Sequence, residues 1–216
     1  DTDLNYAFSH AAVRLAKLSL LNQVSEALYG ANLSLEQILQ AVLICVTAGE
    51  GLRFNRAFLR QMAELQLLGI CIPEEWGGAG MDYVSLGLAC EEPEYVDTHL
   101  RVILSVHVGL NSMTLWCWGT DEQKKRYLVP QAKGEKIATY GLTEPNAGSD
   151  AVGIQTNAVR KGDRYALNGE KMWISLADVA DHFLVIAWTD QEKKKKRDHS
   201  GMSAFIVERA FKGFSS

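Results

Sequence analysis

The sequence predicts an α+β fold, with a helical N-terminal region followed by an antiparallel, β-barrel-like domain. Three observations predict it. Apolar residues recur at helical spacing up to about Trp118. From Lys136 onward the chain turns to short β-rich runs separated by turn residues. Gly119 and Gly134 punctuate the passage between the two regimes.

In chain order, Leu20–Leu28 and Leu35–Val46 read as helices. Phe58, Met62 and Leu65 repeat at helical spacing, with Gly69 as a stop. Ile70–Pro73 reads as a short extended piece, and Gly77-Gly78-Ala79-Gly80 as a loop. Val84–Glu92 is helical, and Pro93 should kink or end it. Leu100, Ile103, Leu104, His107, Thr114, Leu115 and Trp118 form one stripe of a buried helix, with Val102, Val106 and Met113 on another face. Thr120 with Gln123 fits a capping box. Strands are expected at Ile137–Leu142, Ile154–Val159, Arg164–Leu167, Met172–Ser175, Phe183–Trp188 and Ala204–Val207. Lys161-Gly162-Asp163 reads as a hairpin turn, and the basic run Lys193–Arg197 as a solvated hairpin tip.

Composition narrows the function classes. The 216 residues are 47% hydrophobic and 22% charged, an ordinary globular balance, with a formal net charge of −4. That charge gives no electrostatic case for nucleic acid as a partner. The four cysteines are scattered with no C-x-x-C pair, so no zinc or redox pair is indicated, and reduced thiols in an intracellular compartment are the simplest reading. No apolar run reads as a membrane span, and the opening Asp1-Thr2-Asp3 lacks the basic region of a signal peptide.

Two stretches could carry chemistry. Tyr140–Asp150 is a strand entering a loop rich in Pro, Gly, Ser and Asp. Such a loop presents N–H groups and hydroxyls that suit a cofactor with carbonyls and phosphates, or it is a tight turn held by Asx and Ser hydrogen bonds. Leu167–Ser175 begins with the turn signal Asn168-Gly169 and, as a strand, places Trp173 and Ser175 on one face. A flat aromatic beside a hydroxyl suits a planar, hydrogen-bonding ring; a core tryptophan is the alternative.

Taken together, Leu142-Thr-Glu-Pro-Asn-Ala-Gly-Ser-Asp150 and Asn168–Ser175 closely resemble the two signature blocks of the acyl-CoA dehydrogenase family. Ile70–Gly80 and Gly119–Leu128 resemble two further motifs of that family, in the same order, and the resemblance covers about Phe54 to Ser216. It implies a helical domain at 54–135, a flavin-binding middle β-domain at 136–216, and a C-terminal helical bundle that is absent from this sequence. It also implies FAD as cofactor, an acyl-CoA substrate, electron-transfer flavoprotein as electron acceptor, and a homo-oligomer. The location implied is the cytoplasm of a bacterium or the mitochondrial matrix. By the same resemblance Tyr140, Leu142 and Thr143 contact the flavin, Trp173 and Ile174 pack beside it, the Ser175 hydroxyl reaches its N5, and Ser149 contacts the CoA portion of the substrate. The family's catalytic Glu lies beyond Ser216, so no catalytic residue is assigned and the chain alone is expected to be inactive.

Glu94 and Arg101 admit two readings. The run Val96–Arg101 with Ser105 resembles the substrate-side helix of the glutaryl-CoA dehydrogenase branch, where a matching Arg faces a distal carboxylate. An ordinary helix salt bridge is the competing account and takes precedence. His107 lies on the apolar stripe and reads as a satisfied core histidine rather than a catalytic acid. Residues 1–53 are a helical segment of separate character that resembles the start of a GAF sensory domain. Two other functions are therefore weighed: a non-catalytic remnant, and a sensory or interaction module built on that N-terminus.

Overall fold

The computed structural model describes residues 56–216 apart from Asp97, so the GAF-like opening lies outside the described residues. The first described helix, α1 (Arg56–Glu64), gives way to a 3-10 turn at Leu67–Gly69. Ile70–Pro73 is not extended: Ile70 has helical dihedrals. The amides of Met81 and Gly80 return to the carbonyls of Ile70 and Ile72 at 2.9 and 2.8 Å. This fold-back needs two bare backbones in contact, since a Cβ on Gly78 would sit 2.0 Å from the Ile72 carbonyl oxygen.

Helix α2 (Tyr83–Val96) runs past Pro93 rather than ending there. The proline is buried, and packing of its ring outweighs the amide bond it forgoes. Next come α3 (Thr98–Ile103), a π-helical stretch (Leu104–Ser112) and α4 (Met113–Trp118), each continuing the last. The buried stripe is Leu100, Ile103, Leu104, His107, Val108, Asn111, Ser112 and Leu115. Two members of the expected stripe depart from it: Thr114 is half-buried, and Trp118, at the helix's C-terminal end, is 85% exposed.

Leu100–Trp118 is also the one helix among the described residues long and apolar enough to cross a membrane by length and composition, contrary to the sequence expectation. Its buried face carries His107, Asn111 and Ser112, all hydrogen-bonded within the protein, which is the pattern of a core helix. The Thr120 capping box forms as expected, with both reciprocal bonds present, and starts α5 (Asp121–Gln123). A second π-helical stretch (Lys124–Leu128) leads into α6 (Val129–Ala132).

Five strands follow: β1 (Ala138–Gly141), β2 (Asn157–Lys161), β3 (Arg164–Asn168), β4 (His182–Trp188) and β5 (Met202–Glu208). The β2–β3 hairpin closes through Gly162-Asp163, with Gly162 at φ 66°. Strand β4 is central. It pairs antiparallel with β5 along its whole length, parallel with β1 at residues 182–185, and parallel with β2 at Trp188 alone.

Two expectations are corrected here. The sheet is mixed, because the chain between β1 and β4 crosses over through the hairpin and the 169–181 segment and returns in the same direction. It is also open, since β1, β3 and β5 each pair on one side only, so no barrel forms. The basic run lies, as expected, in the solvated connection of the antiparallel β4–β5 hairpin; its first three lysines belong to a short helix there, α7 (Gln191–Lys195), capped by Asp190, whose Oδ1 accepts the amides of Glu192 and Lys193.

Candidate functional site

The loop leaving β1 and the segment leaving β3 are tied together by a buried ion pair. Lys171 Nζ donates to Glu144 Oε1 at 2.7 Å and to the Leu142 carbonyl at 3.0 Å. Glu144 also accepts the Thr156 hydroxyl and the amides of Gln155 and Thr156. Burial raises the Glu144 pKa, and these donors more than reverse it, holding the carboxyl below its ordinary value. Burial likewise draws the Lys171 pKa down while Glu144 opposes that shift. Gly169 allows the approach: a Cβ there would lie 2.3 Å from Thr156 Oγ1.

Met172–Ser175 is not a strand, and alternation therefore does not place its side chains. Trp173 holds a left-handed φ of 57° and Leu176 one of 64°. Hydrogen bonds place the segment instead. The Met172 amide donates to the Thr143 carbonyl at 2.8 Å, and the Thr139 hydroxyl to the Ser175 carbonyl at 2.5 Å. Thr143 and Ser175 thus spend their carbonyls on the protein, and among the described residues neither hydroxyl has a hydrogen-bond partner. The Trp173 side chain stands 85% exposed beside them. Leu142, Thr143, Ile174 and Ser175 are half-buried, as is Tyr140 on β1, whose phenol pKa burial raises.

The remaining candidates lie elsewhere. Ser149 is exposed, next to Asp150, which borders a cavity of about 550 Å³. Lys194, Lys195 and Arg197 line that cavity with Asn146 and Gln155. Arg197 pairs with Asp150 at 2.5 Å, and Lys194 reaches the Gln155 carbonyl and Asn157. Arg101 pairs with Glu94 at 2.6 Å and reaches Ser105 at 3.3 Å, the salt-bridge arrangement. None of these bonds joins Arg101 or Glu94 to the Thr143–Ser175 group.

His107 is a satisfied core residue. Its Nδ1 accepts the Ala138 amide at 3.1 Å, so its Nε2 carries the proton directed at the Gln131 carbonyl, 3.2 Å away. Gln131 bonds Asn111, Ser112 and His182 in turn, and Asn111 donates to the Thr139 carbonyl. Burial pulls the pKa of both histidines down to about 4. This network fixes β1 and β4 against the π-helical stretch.

Sequence reasoning missed Glu144 and Lys171 as a pair. The signal was present, since each occupies a fixed place in one of the two motif blocks, but only the fold brings the blocks into contact. Arg209 gave no signal: its guanidinium donates to the carbonyls of Ala177 and Ala180, which lie far from it in the sequence.

Residues 37–135 match the family model described as acyl-CoA dehydrogenase, N-terminal domain, and residues 139–216 match acyl-CoA dehydrogenase, middle domain. The first match begins inside the 1–53 segment read as GAF-like, so the likeness reaches further back than Phe54. The chain is 48% identical over 163 residues to the short-chain-specific acyl-CoA dehydrogenase of Clostridium acetobutylicum, covering 76% of this chain and 42% of that protein. Butyryl-CoA dehydrogenase from Megasphaera elsdenii aligns with a TM-score of 0.71 at 34% identity, over 85% of this chain and 51% of that one. An acyl-CoA dehydrogenase from Bacillus anthracis, complexed with FAD, aligns with a TM-score of 0.69 at 37% identity, over 85% and 32% of the two chains. The chain therefore spans about half, or less, of the proteins it matches.

Proposed function

Because this chain belongs to the acyl-CoA dehydrogenase family, we propose that it forms the flavin- and substrate-binding portion of an oxidoreductase that introduces an α,β double bond into an acyl-CoA thioester. Residues 54–135 serve as its helical domain and 136–216 as its middle β-domain. One observation supports the reading: two segments distant in sequence are bonded through the carbonyls of Thr143 and Ser175, and the second of them carries an exposed Trp173.

Those residues fit FAD. An exposed indole offers a face for a planar ring, and two hydroxyls freed of protein bonds offer donors to its polar edge. FAD, when bound, supplies hydride acceptance. Tyr140, Leu142 and Thr143 hold the polar edge, and fixed donors there favour the negative charge that reduction brings. Trp173 and Ile174 cover the ring, and Ser175 directs its hydroxyl at it. Ser149 and the basic cavity beside it hold the phosphate-bearing end of the thioester, and electron-transfer flavoprotein is the acceptor. Arg101 remains a candidate for a distal substrate carboxylate only if substrate displaces Glu94.

Glu144, taken up by four donors, and Asp150, paired with Arg197, do not serve as the base that removes the α-proton. Titration of the purified protein with FAD, followed by flavin fluorescence, tests the reading. Saturable quenching that weakens in Trp173→Ala is the expected result; the absence of binding by the wild-type chain overturns it. Turnover of an acyl-CoA with an artificial electron acceptor would show that one of these carboxylates acts as the base.

A further inference from the structure

We propose that Arg209 is a positioning residue for the segment that carries Trp173 and Ser175, an inference that rests on the flavin reading above. That segment needs external support. Trp173 and Leu176 both hold left-handed backbone conformations, at φ 57° and 64°, with Ile174 and Ser175 between them. Such residues persist only where their surroundings over-determine them. From the N-terminal side the hold comes from the Met172 amide on the Thr143 carbonyl and the Thr139 hydroxyl on the Ser175 carbonyl.

From the C-terminal side it comes from two arginines: Arg56 donates to the Val179 carbonyl at 2.7 Å, and Arg209 makes two bonds, to the carbonyls on either side of it. Arg209 Nε donates to the Ala180 carbonyl at 2.7 Å, and a terminal nitrogen of the same guanidinium donates to the Ala177 carbonyl. These carbonyls belong to the turn that follows Ser175, in which the amides of Val179 and Ala180 both return to the Leu176 carbonyl. The guanidinium is itself fixed. It lies over the rings of Phe183 and Phe214, at 5.5 and 5.7 Å, and its own backbone amide bonds the Asp181 carbonyl at 3.0 Å. A planar fork spanning two carbonyls while stacked on aromatic rings is a geometry that the single ammonium of lysine does not reproduce. Arg209 touches neither Trp173 nor Ser175; it acts through the turn between them and β4.

The test has two arms, using Arg209→Lys, which keeps the charge and loses the fork. In flavin-free protein, hydrogen exchange at the amides of Val179 and Ala180 should accelerate in the variant, while the β2–β3 hairpin amides stay as they are. Unchanged protection of the turn overturns the proposal. In FAD-loaded protein, the variant should bind FAD roughly 10-fold more weakly, the scale of one lost charge-assisted hydrogen bond. It should also shift the flavin midpoint potential, and this shift should vanish when Ser175→Ala is present in both backgrounds. That non-additivity separates positioning through Ser175 from general destabilisation, which would move the two backgrounds equally. Equal shifts overturn the proposal. A wild-type protein that binds no FAD, yet shows the expected loss of turn protection in the variant, overturns the flavin reading and leaves Arg209 a structural residue.

Discussion

Lys171 and Glu144 form a buried salt bridge, with an N–O separation of 2.7 Å and side chains only 12% and 6% exposed. Each comes from a different motif block, and the bond fastens the Leu142–Thr143 corner to the strand-exit segment that ends in Trp173. Removing one partner leaves the other charge buried without compensation. Glu144→Ala is therefore expected to cost about 3–5 kcal/mol, read from urea unfolding. Lys171→Met should cost a similar amount and weaken FAD binding in the same samples. An unchanged unfolding midpoint in both variants would mean that water reaches the pair.

The same bond sets an acid limit. Glu144 has a folded pKa below its unfolded value, so its contribution is fully present above the unfolded pKa and is lost as pH falls through the folded one. His107 and His182 act in the same direction by another route. Their folded pKa of about 4 lies below the ordinary 6.5, so the unfolded chain binds more protons between those values. Stability from the histidines is whole above about pH 6.5 and declines toward pH 4. Thermal unfolding measured against pH should show this slope. His182→Phe, which removes one of the two titrations while keeping a ring against Tyr127, should reduce it.

Gly169 shows which features of the site could be read from sequence and which could not. Asn168-Gly169 signalled a turn, but β3 runs through Asn168 and the chain leaves it without one; the demand on the glycine comes from Thr156, a residue of another segment. The same division runs through the fold. The capping box at Thr120, the Gly162-Asp163 hairpin and the α-then-β order depend on neighbours a few residues apart, and they formed as read. The parallel pairing of β1 with β4 and the left-handed Trp173 are decided by partners tens of residues away, where local pattern carries no information. The motif residues Thr143 and Ser175 were legible as candidates, but the strand alternation used to place Trp173 and Ser175 was not the operating cause.

Gly169 also yields a direct test. A methyl there would sit 2.3 Å from Thr156 Oγ1 and 2.7 Å from its Cα. Backbone must then move, at a cost of about 1–3 kcal/mol. The movement carries the Thr156 hydroxyl away from Glu144, so Gly169→Ala should lower the melting temperature and weaken FAD binding together. The double variant Gly169→Ala, Thr156→Ala, which removes the hydroxyl contact, should not recover stability, because the 2.7 Å contacts to the Thr156 Cα and Cβ remain. Recovery would place the clash on the Thr156 hydroxyl alone.

The last prediction concerns the basic cavity beside Ser149. Lys194, Lys195 and Arg197 face it, against Asp150 as the acid in its lining. Arg197 already answers Asp150, and Lys195 bonds Glu192 on the exposed side of its helix. Lys194 uses two neutral acceptors, Gln155 and Asn157, and among the described residues pairs with no carboxylate. A phosphate entering here would meet Lys194 first. Lys194→Glu is expected to weaken CoA binding roughly 10-fold, since it replaces an attraction with a repulsion at one contact. Lys195→Glu, whose ammonium is shared with Glu192, should have the smaller effect. Isothermal titration with CoA against pantetheine provides the control, because pantetheine lacks the phosphates and should not respond to either change. The wild-type affinity for CoA should also fall as salt rises, and that salt dependence should flatten in Lys194→Glu. Equal losses for CoA and pantetheine would place the effect on the fold of the Asp150–Gln155 loop rather than on phosphate recognition.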